Sequence, residues 1–98
     1  MVEVELSKAE KVNRVLKGIE GIENAIRPYE YYSEEVTKAL NFLATMKDSL
    51  RDPEKADLDY VLERLTEMES QAIQYRGYEP ADEALRCLHE IRKILGKG

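Results

Sequence analysis

In four stretches of this chain, apolar residues recur every three or four positions, a spacing that places them on one face of an α-helix. The stretches span residues 12–26, 36–50, 58–75 and 81–95. A helix with one apolar face is stable when other helices cover that face. Short connections between long helices favour antiparallel neighbours. The pattern therefore predicts an all-α protein, a four-helix up-down-up-down antiparallel bundle.

The predicted helices are bounded by residues that typically start or stop a helix. Ser7 and Glu10 have the spacing of a capping box, in which the serine hydroxyl accepts from the backbone N–H three residues on. Pro28 ends the first helix, because the residue before a proline is pushed out of the α region. Gly77 is expected to end the third helix, and Pro80 to begin the fourth.

The remaining boundaries follow from the same kinds of signal. The second helix is expected to begin between residues 30 and 33 and to be followed by a break or a new start at Asp52-Pro53. Asp52 and Asp57 fit as helix caps. Gly96 is expected to close the fourth helix. Residues 1–6 alternate like a strand but have no partner strand, so we expect them to be extended or frayed.

Size and composition limit the class of protein. With 98 residues, of which 43% are apolar and 36% charged, the chain has room for one core and no stretch that could span a bilayer. A net charge of −5 argues against duplex nucleic acid as the default partner. A lone cysteine and an acidic start, where a signal peptide needs base, predict a cytoplasmic protein. Many charges with few Asn and Gln also fit a thermophilic source.

A shift of the sequence by 49 residues aligns the first predicted hairpin with the second. Seven positions between 12 and 34 then carry identical residues, among them Arg27 with Arg76 and Tyr29 with Tyr78. We interpret the chain as one domain, residues 1–98, with a duplicated αα-hairpin at 7–50 and 56–96. The alternative is that any two amphipathic helices align once their apolar faces are in phase. With either origin, up-down topology puts both hairpin turns at the same end of the bundle.

Five of the six tyrosines and two arginines cluster in the two predicted hairpin turns. Tyrosine and arginine are enriched where proteins contact partners. We interpret this tyrosine end as a surface that recognises a protein segment, or a phosphate-bearing ligand. The alternative is that the tyrosines cover the core and the arginines pair with Glu23, Glu30 or Glu79. The tyrosine end comprises Arg27, Tyr29, Tyr31, Tyr32, Tyr75, Arg76 and Tyr78.

The second and fourth helices carry apolar residues beyond a single face. The additional residues are Phe42 on the second helix and Cys87 and Ile94 on the fourth. An apolar arc of this width indicates contact with two neighbours. In one interpretation, the two neighbours are the adjacent helices of the same bundle. In the other, one neighbour comes from outside the bundle and is a second copy of the chain or a partner helix. The second interpretation predicts a homodimer seam or a groove for a partner helix, and we expect the chain to associate in solution.

No motif for catalysis, metal binding or a cofactor is present, and we expect none of these. The single histidine, His89, has Arg86 where a di-iron bundle needs a glutamate. Cys87 and His89 are two positions apart, so they point to different sides of a helix and cannot act as nucleophile and base. Cys87 is expected to be packed and His89 solvent-facing. Glu69 falls in an apolar arc, and we expect it at the edge of the core with an Arg or Tyr partner.

Three functions remain open at this point. The first hypothesis is a non-enzymatic protein-interaction module, such as a small subunit or adaptor. The second is a nucleic-acid-associated accessory protein acting within an oligomer, through the basic side of the first helix. The third, an enzyme, would need Glu23, Glu69 and the tyrosines to converge on a pocket. The basic side of the first helix comprises Lys8, Lys11, Arg14 and Lys17.

Overall fold

A computed structural model describes residues 7–95 of the chain and shows four α-helices in this range, with no strand. They are α1 (Lys8–Ile26), α2 (Glu34–Ser49), α3 (Leu58–Ile73) and α4 (Glu79–Ile94), and a 3-10 helix, Arg27–Tyr32, connects α1 to α2. The predicted helical bundle is thereby confirmed. The expectations for residues 1–6 and for Gly96 lie outside the described residues. No helix within 7–95 is both long enough and apolar enough to cross a membrane.

Two of the predicted helix caps are present. The Ser7 hydroxyl accepts from the backbone N–H of Glu10 at 3.2 Å, and the Asp57 carboxylate accepts from that of Tyr60 at 3.0 Å. Asp52 does not cap a helix; its carboxylate accepts from the N–H of Glu54, at 3.1 Å, inside the connection between α2 and α3. Side chains that satisfy the first free N–H groups of a helix fix where it begins.

Helix α3 ends at Ile73, four residues before the predicted stop. From there the backbone continues as turns, in which the N–H of Tyr75 bonds to the carbonyl of Ala72 at 2.9 Å and that of Arg76 to Ile73 at 3.1 Å. Such bonds to the third residue back often close the last turn of a helix. Gly77 then reverses the chain with φ at +104°, a conformation that suits glycine.

The first and last helices form the centre of the bundle. The most extensive helix contact is between α1 and α4, while α2 lies against α1 and α3 against α4. Gly18 of α1 faces the side chain of Ile91, and Gly21 faces the sulfur of Cys87, so α1 and α4 run antiparallel. One apolar core joins all four helices: Val12, Val15, Ile19, Ile22, Ile26, Leu40, Leu43, Met46, Leu50, Ala56, Val61, Leu65, Ala84, Cys87, Leu88 and Ile91.

An ion pair connects the two helices of each hairpin. Lys47 of α2 lies 2.7 Å from the carboxylate of Glu23 on α1. Arg92 of α4 lies 2.7 Å from the carboxylate of Glu69 on α3. The arginine partner expected for Glu69 is thus confirmed. The ion pair of Glu23 with Lys47 differs from the alternative drawn from the sequence, in which Glu23 pairs with Arg27.

Both hairpin turns lie at one end of the bundle. Because Gly18 faces Ile91 and Gly21 faces Cys87, the last turn of α1 lies beside the first turn of α4. The 3-10 helix that follows α1 and the turn 74–78 that precedes α4 therefore share this end. The connection 50–57 lies at the other end, where Lys8 of α1 donates to the carbonyl of Glu54 at 3.1 Å. The topology thus puts both turns that carry the tyrosines at the same end of the bundle.

Candidate functional site

The tyrosines of the tyrosine end are exposed to solvent. Tyr31 and Tyr32 expose 90% and 86% of their surface, and Tyr78 exposes 69%. Tyr29 and Tyr75 are about half as exposed, at 40% and 49%. None of the five is among the buried residues of the core. Tyr31, Tyr32 and Tyr78 are therefore too exposed to cover the core, whereas Tyr29 and Tyr75 bury about half of their surface.

The two arginines of the tyrosine end have no ionic partner within the described range. Arg27 and Arg76 are exposed, and neither lies within ion-pairing distance of a carboxylate of residues 7–95. Glu23, the expected neighbour of Arg27, is buried and turned toward Lys47. The guanidinium groups of Arg27 and Arg76 are thus available to an incoming ligand.

Short backbone segments hold these side chains in place. Pro28 opens the 3-10 helix, where its fixed φ suits a helical first turn. The hydroxyl of Thr37 on α2 reaches back to the carbonyl of Glu30 at 3.4 Å. In the second turn the N–H of Gly77 donates to the carboxylate of Asp82 at 3.0 Å. Both turns are thereby tied to the helix that follows them.

The tyrosine end is acidic overall and carries an additional aliphatic side chain. Segments 27–35 and 73–82 contain five carboxylates and two arginines, a formal charge of −3. Four of these carboxylates occupy the first turns of the helices: Glu34 and Glu35 on α2, and Glu79 and Asp82 on α4. Ile73, at the end of α3, is 43% exposed and adds apolar surface.

The residues of the predicted oligomer face do not form one exposed surface. Cys87 is 8% exposed and lies inside the α1–α4 contact, opposite Gly21. Phe42 and Ile94 are partly buried and pack against the core. Burial raises the pKa of the Cys87 thiol, and Glu83 and Glu90 act in the same direction while Arg86 opposes them.

A shallow groove of about 370 Å³ runs along the contact between α1 and α4. Its floor is apolar and includes Gly18, Gly21, Cys87 and Ile94, and basic side chains stand at its edges. Phe42 lies outside it. The groove therefore unites two of the three residues of the predicted oligomer face. The basic side chains are Arg14, Lys17 and Arg86.

The basic side of α1 is divided between two places. Lys8 and Lys11 border a depression at the opposite end of the bundle from the tyrosines, together with Asp57 and Asp59. The other two basic residues border the α1–α4 groove, together with Glu90. Carboxylates accompany the cations in both places, so the four side chains do not form a continuous basic strip.

The structure places the remaining candidate residues apart. His89 is exposed while Cys87 is buried, as expected, so the two cannot act together. Among residues 7–95, no three His, Cys, Asp or Glu side chains lie close enough to hold a metal ion. Sequence reasoning missed the burial of Glu23. The signal was present, because Glu23 follows Ile19 by four positions and shares its apolar face.

The sequence matches no protein-family model and no curated protein, and the fold matches no solved structure.

Proposed function

We propose that this protein is a non-enzymatic protein-interaction module, a small subunit or adaptor, that engages a partner protein through its tyrosine end. The observation that carries this proposal is the exposure of Tyr31 and Tyr32, at 90% and 86%, beside three further exposed tyrosines at the same end. Exposed aromatic side chains contribute little to the stability of the bundle itself. Their grouping at one end is typical of a surface that becomes covered on binding.

Tyrosine is well suited to this role. Its ring is large and apolar, its hydroxyl can donate or accept, and it has only two side-chain torsions to immobilise on binding. Interfaces obtain most of their binding free energy from a few such residues, with arginine prominent among them. Arg27 and Arg76, which form no ion pair within residues 7–95, supply donors at the same end.

Three further properties belong to this proposal. A cytoplasmic location is supported by the single cysteine, which cannot form an internal disulfide. A homodimer would use Ile94 and the groove between α1 and α4, whose floor is apolar. Duplication of the hairpin is supported by the aligned sequence segments. The two turns differ in backbone conformation, since the first is a 3-10 helix and the second a turn through Gly77.

The second hypothesis, a nucleic-acid-associated accessory protein acting within an oligomer, has less support. Its surface would be the basic side of α1, which is divided and accompanied by Asp57, Asp59 and Glu90. Phosphate backbones are bound by continuous arrays of Lys and Arg. The capture experiment below would support this hypothesis if nucleic acid were recovered with the protein.

The proposal is tested by capture from native lysate, comparing the wild-type protein with the double variant Tyr31→Ser/Tyr32→Ser. We expect the variant to capture at least about tenfold less of the specific partner, because central interface residues contribute about 2 kcal/mol or more. Its urea unfolding curve should match that of wild type, since both side chains are exposed. Bound proteins are identified by mass spectrometry.

The matched control is Tyr60→Ser. Tyr60 is 48% exposed but lies in the first turn of α3, at the opposite end of the bundle. Capture should be unchanged in this variant. Equal capture by the double variant and wild type would refute a role for the tyrosine end. Recovery of RNA or DNA that salt removes would favour the second hypothesis.

A further inference from the structure

We infer that the tyrosine end binds a cationic segment of its partner, one that presents several Arg or Lys side chains. This inference rests on the proposed function and specifies the chemistry of the partner. It follows from the combination of exposed aromatic rings with an excess of carboxylates on the same end of the bundle.

The tyrosine end carries an excess of negative charge. Segments 27–35 and 73–82 carry a formal charge of −3, against −5 for all 98 residues. Glu34, Glu35 and Glu79 are exposed and form no ion pair within the described residues. Arg27 and Arg76 reduce the negative charge without reversing it. A positively charged partner segment would be attracted to this end and would form ion pairs with its carboxylates.

The tyrosine rings add a second attraction for cations. A guanidinium or ammonium group over an aromatic ring is attracted by the negative face of the ring, and the attraction strengthens once water is excluded. The chain itself contains such a contact, in which the guanidinium carbon of Arg64 lies 5.5 Å from the centre of the Tyr60 ring. Tyr31 and Tyr32 are more exposed than Tyr60, and no cation of residues 7–95 lies over either ring.

The same observations disfavour the other occupants. A phosphate or an acidic peptide would need the positive N-terminal ends of α2 and α4, but carboxylates already stand in both first turns. A second copy of the chain would bring two ends of charge −3 together, and like charges repel. A purely apolar segment would leave the carboxylates and arginines without partners.

The test is a titration of the isotopically labelled protein with three synthetic peptides, followed by ¹H–¹⁵N correlation spectra. The peptides share a flexible Gly/Ser sequence and carry arginine, glutamine or glutamate at the same positions. We expect the arginine peptide to shift signals of residues 27–35 and 73–82, and the other two to have little effect. The affinity should fall as salt is added, since the attraction between exposed charges is screened.

Charge-reversal variants distinguish binding at the tyrosine end from a general attraction of the arginine peptide to an acidic protein. Glu34→Lys/Glu35→Lys should weaken binding of the arginine peptide by about threefold or more, because each reversal removes an attraction and adds a repulsion. Asp59→Lys/Glu63→Lys is the matched control, because it makes the same change of charge in and after the first turn of α3. That variant should bind nearly as well as wild type.

The outcomes distinguish the inference from the function on which it rests. If the arginine peptide binds no better than the other two, or if both charge-reversal variants weaken it equally, the cationic partner is refuted. The proposed function would survive that result if lysate capture still depends on Tyr31 and Tyr32. Loss of both effects would refute the two proposals together.

Discussion

At the scale of single residues, Glu23 shows how one carboxylate can be kept inside the bundle. It is 5% exposed, and its side chain pairs with Lys47 across the α1–α2 contact. A buried charge is tolerated when a partner of opposite sign is held close to it. Lys47 keeps a third of its side chain in solvent, so its aliphatic part covers the core while its ammonium reaches the carboxylate.

We expect Lys47→Ala to lower the free energy of unfolding by about 1–3 kcal/mol, because it leaves the Glu23 carboxylate buried without its partner. Urea denaturation measures this change. The control is Arg51→Ala, which removes the ion pair to the exposed Asp48 and should change stability by less than about 0.5 kcal/mol. Equal effects of the two substitutions would show that the Glu23–Lys47 pair is no more important than a surface pair.

The Cys87 thiol should affect stability at high pH. Burial raises the pKa of Cys87, so the folded protein retains this proton at a pH where the unfolded chain has lost it. Below the unfolded pKa of about 8.5 the thiol is protonated in both states and does not change the free energy of unfolding with pH. Above that pH the unfolded chain loses the proton first, so the free energy of unfolding falls as the pH rises. Stability should therefore fall more steeply above that pH in wild type than in Cys87→Ala.

The same thiol provides a second readout. In the folded protein, Cys87 should react slowly with a disulfide reagent at mildly alkaline pH, because the reactive thiolate is disfavoured and the sulfur is buried. Unfolding in urea should restore the rate of a free thiol. Rapid reaction of the folded protein would contradict this description of the α1–α4 contact.

At the scale of helices, glycines on α1 determine how closely α4 can approach. A methyl group on Gly18 would lie 2.5 Å from Cγ1 of Ile91, which is too close, whereas one on Gly21 would lie 3.2 Å from the Cys87 sulfur. Glycine within a helix costs about 1 kcal/mol relative to alanine. The close α1–α4 contact explains why α1 retains glycine at these positions.

Replacing each glycine by alanine should separate the gain in helix propensity from the steric cost of the added methyl group. Both substitutions gain about 1 kcal/mol of helix propensity, but Gly18→Ala also forces Ile91 to move, at a cost of about 1–3 kcal/mol. We expect Gly18→Ala to be about 1–2 kcal/mol less stable than Gly21→Ala, measured by urea denaturation. Equal stabilisation by both would mean that the α1–α4 contact is looser than described.

At the scale of the whole molecule, the sequence predicts the bundle well because its signals are local. The Ser7 and Asp57 caps and the apolar spacing depend on residues within a few positions of one another, and each predicted helix is present. The position of both turns at one end follows from topology alone. These features need no knowledge of how the helices pack.

Burial and pairing across helices are less accessible from the sequence. The aligned repeat pairs Glu69 with Glu20, yet Glu20 is exposed and it is Glu23 that forms the corresponding ion pair. The exposure of Tyr31 and Tyr32 depends on the path of the 3-10 helix, which apolar spacing does not encode. Both properties arise from the three-dimensional arrangement of distant segments.

The dominance of the α1–α4 contact has a consequence for how the chain acquires its fold during synthesis. When a ribosome has released only α1, α2 and α3, the surface of α1 that Cys87 and Ile91 will later cover still faces water. Assembly must then wait for the last helix to emerge, since contacts between distant parts of a chain form late. Until that moment, the nascent polypeptide exposes an apolar surface that makes it prone to aggregation.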